Sequence, residues 1–149
     1  MRSVNRCRAL VHTPPTASLA LLSALFASAC GADARYIVIG SARAPSASGI
    51  VELEELDGGS TLVTVHLQYL HPPARVDEGA TQYVAWFQGP SGSPIRAGTV
   101  TYNPEERTGD LAATAPFDDL TVKITAERDA SAVTPSATVI ATQSVRIED

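Results

Sequence analysis

Apolar residues recur in short runs of four to ten between residues 35 and 149, broken at regular intervals by Gly, Pro, Asp and Ser. No window of 11 or more residues in this stretch sustains a helical period. Residues 120–127 alternate most clearly, with Leu120, Val122, Ile124 and Ala126 on one parity and Thr121, Lys123, Thr125 and Glu127 on the other. A period of two puts one set on a core and the other in water, which predicts a half-buried strand. Residues 49–55 alternate in the same way, Val51 and Leu53 against Glu52 and Glu54. Residues 61–70 place Val63, Val65, Leu67 and Tyr69 on one side. Between these runs Asp57-Gly58-Gly59 predicts a turn, because Gly adopts positive φ without steric cost. The two runs therefore read as a hairpin.

Pro72-Pro73 ends the second run and starts a loop through Asp77-Glu78-Gly79. Residues 83–87 are apolar at every position, the mark of a central strand covered on both faces. A turn-rich loop at residues 89–94 precedes a second predicted hairpin, residues 95–103 and 107–115 joined across Pro104-Glu105-Glu106. Its second arm, with Leu111, Ala112 and Ala113, is rich in small residues and is expected to be narrow or near an edge. A last strand over residues 138–147 follows a Ser/Ala/Pro loop at residues 129–136. With residues 36–39 the strand count reaches eight. The expected fold is all-β, an immunoglobulin/fibronectin-III-like antiparallel β-sandwich, with a closed barrel as the alternative. The expected core is Val51, Leu53, Val63, Val65, Leu67, Val84, Trp86, Val100, Val122, Ile124 and Val139, with Trp86 at its centre.

The first 30 residues follow a different pattern. Arg2, Arg6 and Arg8 precede a 13-residue apolar run, residues 17–29, which ends in small residues before Cys30. A membrane-spanning helix needs about 20 apolar residues, so this reads as a cleavable signal peptide. Ala27-Ser28-Ala29-Cys30 resembles the lipobox of bacterial lipoproteins, whose pattern is Leu-Ala/Ser-Gly/Ala-Cys; Ser28 and Ala29 fit, and Ala27 stands where the family prefers Leu. The resemblance implies cleavage before Cys30, a diacylglycerol thioether on its sulfur and usually an acyl group on its nitrogen. Two or more chains give stable anchoring where one holds only marginally. An ordinary secretory peptide cleaved after Ala29 is the alternative. It would leave a lone exposed thiol in an oxidising compartment. In lipoproteins of diderm bacteria an Asp after the cysteine favours the inner membrane; Gly31 stands there, which implies the outer membrane. The expected organisation is a signal peptide at residues 1–29, a lipidated tether at 30–35 and a β-sandwich at 36–149.

Processing changes the composition. Cys7 leaves with the signal, so Cys30 is the only cysteine of the mature chain and no intramolecular disulfide can form. Three of the 11 basic residues leave as well, so 8 remain against 16 acidic ones, a net charge of −8. Such a surface repels nucleic acid and anionic lipid head groups, which need basic patches, and nucleic-acid binding is excluded by charge and by compartment.

Within the predicted strands, Tyr83-Val-Ala-Trp-Phe87, Ala97-Gly-Thr-Val100, residues 120–127 and Pro135 before an apolar strand are similar to the extracytoplasmic domain of anti-sigma-K-type factors. That family carries a Tyr-x-x-Trp strand, a Leu-Gly-x-Leu/Phe strand, a Val-Thr-x-Glu strand and a Pro-x-Gly before its last strand. The resemblance covers residues 81–140; Ala97 and Ser136-Ala137 depart from it. It implies a fold related to the sensor-side domain. Sigma regulation is not carried over, since about 16 residues precede the apolar segment and no sigma-binding part is present.

Candidate chemistry is sparse. His66 is expected to face away from the core with Thr64 and Gln68, and His71 to point to the opposite face, which makes a poor zinc pair. Gly89-Pro-Ser-Gly-Ser93 lacks the Gly-x-Ser-x-Gly spacing of a hydrolase elbow. The acidic pairs Asp77-Glu78, Glu105-Glu106 and Asp118-Asp119 lack calcium-loop spacing. No catalytic, cofactor or metal residue is assigned; the one site residue is Cys30, for lipidation. The expectation is a non-enzymatic, lipid-anchored module of the cell envelope that binds a protein or envelope component through loops or a strand edge. The alternatives are an envelope enzyme using His71 with Asp77 or Glu78, and a structural subunit of an envelope complex.

Overall fold

The computed structural model describes residues 34–147; residues 1–29 and Cys30 lie outside the described residues. Eight strands run in the order β1 (Ala34–Ile39), β2 (Ser48–Leu56), β3 (Ser60–Gln68), β4 (Gln82–Gln88), β5 (Ile95–Asn103), β6 (Thr108–Ala115), β7 (Asp119–Glu127) and β8 (Val139–Arg146). One short helix, α1 (Pro73–Val76), stands between β3 and β4, inside what the Pro-Pro signal predicts to be loop. Pro at the start of a helix has no N–H to lose and a φ already suited to it.

Every strand pair is antiparallel, in the order β1-β2-β3-β6-β5-β4-β7-β8. The fold is all-β. Both β hairpins are present. β2 and β3 pair from Ser48↔Gln68 to Leu56↔Ser60 around Gly58 and Gly59, whose φ values are +95° and +79°. One layer holds β1, β2, β3 and β6, the other β4, β7 and β8. Strand β5 passes from one layer to the other: residues 95–100 pair with β4 and residues 101–103 with β6. A sandwich whose strands form one nearly closed sheet results.

Val38, Val51, Leu53, Val63, Val65 and Leu67 fill the interior from the first layer, Tyr83, Phe87, Val122, Ile124, Ile140 and Val145 from the second. Each such side chain, fully buried, contributes about 1.5–3 kcal/mol. Trp86 is fully buried but is not at the centre of this interior. Tyr83, Ala85 and Phe87 point inward, so the alternation of β4 sends Val84 and Trp86 to the opposite face, where Trp86 is opposite Lys123 and Val84 opposite Thr125. Val139, opposite Thr125 on β8, shares that face. The reason is legible in the strand itself: five consecutive apolar residues carry no parity. Tyr69 also departs from the expected inward set. Strand β3 stops at Gln68, and Tyr69 takes a φ of +59° and is 57% exposed.

Candidate functional site: the two seams of the sandwich

A sandwich has two sides at which its layers meet, and they are closed differently here. At the β1/β8 seam, Gly40 bridges Ala141, the Ser41 N–H donates to the Ile140 carbonyl at 2.7 Å, and the Ser41 hydroxyl donates to the Val139 carbonyl at 2.6 Å. The Tyr36 hydroxyl donates to the Arg146 carbonyl at 2.6 Å and accepts its N–H at 3.1 Å. Backbone bonds at Gly40 and Ser41 and side-chain bonds from Ser41 and Tyr36 thus close this seam together.

At the β5/β6 seam, pairing is confined to Thr101↔Asp110, Tyr102↔Gly109 and Asn103↔Thr108. Beyond this fork β5 follows β4 and β6 follows β3. Alternate residues of 111–115 turn their backbone N–H and C=O towards a side where no strand pairs with them. A shallow cavity of about 360 Å³ opens at the fork, lined by Thr64, Val65, Thr101, Asp110, Leu111 and Ala112. Its floor is apolar because Leu111 reaches beneath Gly98. A Cβ on Gly98 would stand 3.1 Å from Leu111 Cδ1, so a larger residue here would require that side chain to give by a few tenths of an ångström. Ala112 and Thr114 are exposed, and residues 111–115 carry no charge and no proline. Edge strands are commonly protected by charges, proline or bulges; this one is not. The small-residue content predicts a narrow or near-edge arm, and β6 lies at such a margin.

The histidines are held apart. His66 faces outward and its Nδ1 meets Asp110 Oδ1 at 2.5 Å, on the rim of the fork. His71 lies beyond the end of β3, its Nδ1 3.1 Å from the Arg107 guanidinium, which also donates to the carbonyls of Tyr69 and Leu70. Arg107 itself has a φ of +57°, and its carbonyl accepts the Leu70 N–H at 2.9 Å. Two non-glycine residues in the left-handed region, Tyr69 and Arg107, are therefore joined by one guanidinium; each conformation costs on the order of 1–3 kcal/mol. Neither was visible in the apolar pattern, which carries no information on φ. Asp77 has other partners, Arg128 at 2.6 Å and the Thr138 hydroxyl at 2.9 Å. The Arg128 hydrogen bond, then that of Thr138, holds the Asp77 carboxyl below its ordinary value. Among the described residues no three His, Cys, Asp or Glu side chains converge as a metal site would need.

On the outer face of β4 and β7 the sequence concealed a buried polar chain. Trp86 Nε1–H donates to Thr125 Oγ1 at 2.7 Å, the Thr125 hydroxyl donates to Glu127 Oε1, and the Ser136 N–H donates to the same oxygen at 2.8 Å. Glu127 is buried although its parity predicts a solvent position. The following loop folds back across it, fixed by the Ser136 hydroxyl on the Ala126 carbonyl and by the Arg96 guanidinium on the Ala132 carbonyl. This is a structural closure with no cavity beside it among those described.

The residues that carry the resemblance to anti-sigma-K-type factors fall on β4, β5 and β7 and on the approach to β8. No family model matches the chain, and no curated protein matches it.

Proposed function

We propose that the chain is a lipid-anchored, non-enzymatic binding module of the cell envelope that takes an extended segment of a partner protein as an added strand at the β5/β6 seam. The observation that carries the reading is the fork at Thr101/Asp110, beyond which residues 111–115 present an unprotected strand edge. Strand addition supplies main-chain hydrogen bonds for affinity and side-chain hollows for specificity. Ala112 and Thr114 are small, and the hollow at the fork lies beside them, which favours a partner strand with bulky apolar residues at alternate positions. The acidic surface, a net −8 after processing, favours a partner with basic residues flanking that strand. Anchoring is read from Ala27-Ser28-Ala29-Cys30, and Gly31 after the cysteine favours the outer membrane over the inner one if the cell is diderm.

Affinity purification of the full chain from detergent-solubilised membranes tests the binding reading. A protein should co-purify with the unaltered chain and be lost with Ala112→Lys/Thr114→Lys, since edge lysines oppose strand addition. Equal recovery with both chains would refute the seam as the site. Cys30→Ser should abolish incorporation of a labelled fatty acid and release the chain from membranes. Unchanged retention would refute the anchor.

A further inference from the structure

A row of paired residues across the first layer ties the open edge to the start of β1. Ala34 pairs with Leu53, Leu53 with Val63, and Val63 with Ala113. Ala113 is the middle residue of the unpaired stretch 111–115, so that stretch is centred at the level where β1 begins. Three strand spacings separate Ala34 from Ala113, about 14 Å across the layer. Four residue steps join Cys30 to Ala34, a reach of at most about 14 Å when fully extended. Ala113 is therefore confined to within about 28 Å of Cys30 whatever the tilt of the sheet, because the limit follows from register and chain length alone.

We propose, resting on the seam and the anchor inferred above, that the strand added at the β5/β6 seam belongs to an integral protein of the membrane that holds Cys30, and that it is a segment standing within this distance of the bilayer. The edge is short. Strand hydrogen bonds point alternately to either side, so five residues offer few main-chain groups to an added strand. The exposed side chains there, Ala112 and Thr114, are small and add little area. Association must first offset the translational and rotational freedom that both partners lose. A partner fixed in the same membrane has already surrendered much of that freedom and meets the edge at a raised effective concentration. The short tether keeps the edge in the layer of space where such a segment stands, whereas a protein dissolved in the compartment gains nothing from it. A second copy of this chain is opposed by its like net charge, −8 after processing.

Photo-crosslinking of the full chain in cells tests this. p-Benzoylphenylalanine replaces Ala112 in one chain, Thr114 in a second and, as reference, Val133 in a third, a position 81% exposed on the loop after β7. Position 112 or 114 should give an adduct several-fold stronger than 133, with a different protein that by itself resists alkaline extraction from membranes. A helical spacer of about 30 residues between Ala32 and Asp33 lengthens the tether by about 45 Å, and the adduct should then fall several-fold in chains still retained in the membrane. An adduct with a protein that alkali extracts, an adduct between two copies of this chain, or one undiminished by the spacer would overturn the inference and leave the seam standing. Adducts at 112 and 114 no stronger than at 133 would refute the seam and the inference with it.

Discussion

Tyr36 and Arg146 lie 110 positions apart, and the tyrosine hydroxyl closes the β1/β8 seam between them by donating to the arginine carbonyl and accepting its N–H. The same molecule leaves the β5/β6 seam unpaired past Thr101/Asp110. A sheet closed on one side and forked on the other is the physical basis for assigning recognition to β6.

If the hydroxyl is the clasp, Tyr36→Phe keeps the ring in the interior and loses two hydrogen bonds. Each is worth on the order of 1 kcal/mol, so the variant should be less stable by about 1–2 kcal/mol in urea unfolding. The amides of β1 should gain exchange rate more than those of β4. A stability equal to the parent would show that the strand bridge at Gly40 suffices.

The chain Trp86–Thr125–Glu127–Ser136 can be read optically, since Trp86 is the one tryptophan of the sequence. Glu127→Ala strands a buried hydroxyl and a backbone N–H and opens a void, a loss on the order of 3 kcal/mol. Its tryptophan emission should shift to the red as the covering loop loosens. Glu127→Gln retains an acceptor and should fall between the two. An unchanged emission maximum in Glu127→Ala would show that the loop is held by Arg96 and Ser136 alone.

Asp77 governs part of the acid sensitivity. Its carboxyl is held below the ordinary value of 3.8 by Arg128 and then Thr138. A depressed pKa means stabilisation that is complete above 3.8 and is lost as pH falls through the lowered value. Asp129, lowered by the backbone and side chain of Ser131, acts in the same direction. Asp77→Asn should therefore be less stable than the parent at neutral pH and show a shallower loss below pH 3.8. Superimposable acid-unfolding curves would contradict the assignment.

Much of this fold is legible in the amino-acid pattern, and its limits are physical. Strands β2, β3 and β7 alternate because one face meets the interior and the other meets water. Where both faces are covered, as in β4, alternation vanishes and the side of Trp86 cannot be read. Glu127 shows the reverse failure: a charged residue at an outward parity is buried because eleven residues later the chain has folded back over it, as the Thr138 carbonyl on the Ala126 N–H records. The small residues of β6 point only to a narrow or near-edge arm, and the fork at β5/β6 is not written in them. The left-handed Tyr69 and Arg107 are not legible either, because neither position is itself a glycine that would signal a positive φ.

Amide hydrogen exchange on the full chain, free and with its co-purified partner, bears most directly on strand addition at the seam. Residues 111–115 should exchange faster than β4 in the free chain and slow strongly in the complex, with residues 95–100 following. Protection confined to the loop at residues 89–94 or to the segment around His71, with residues 111–115 unchanged, would contradict it.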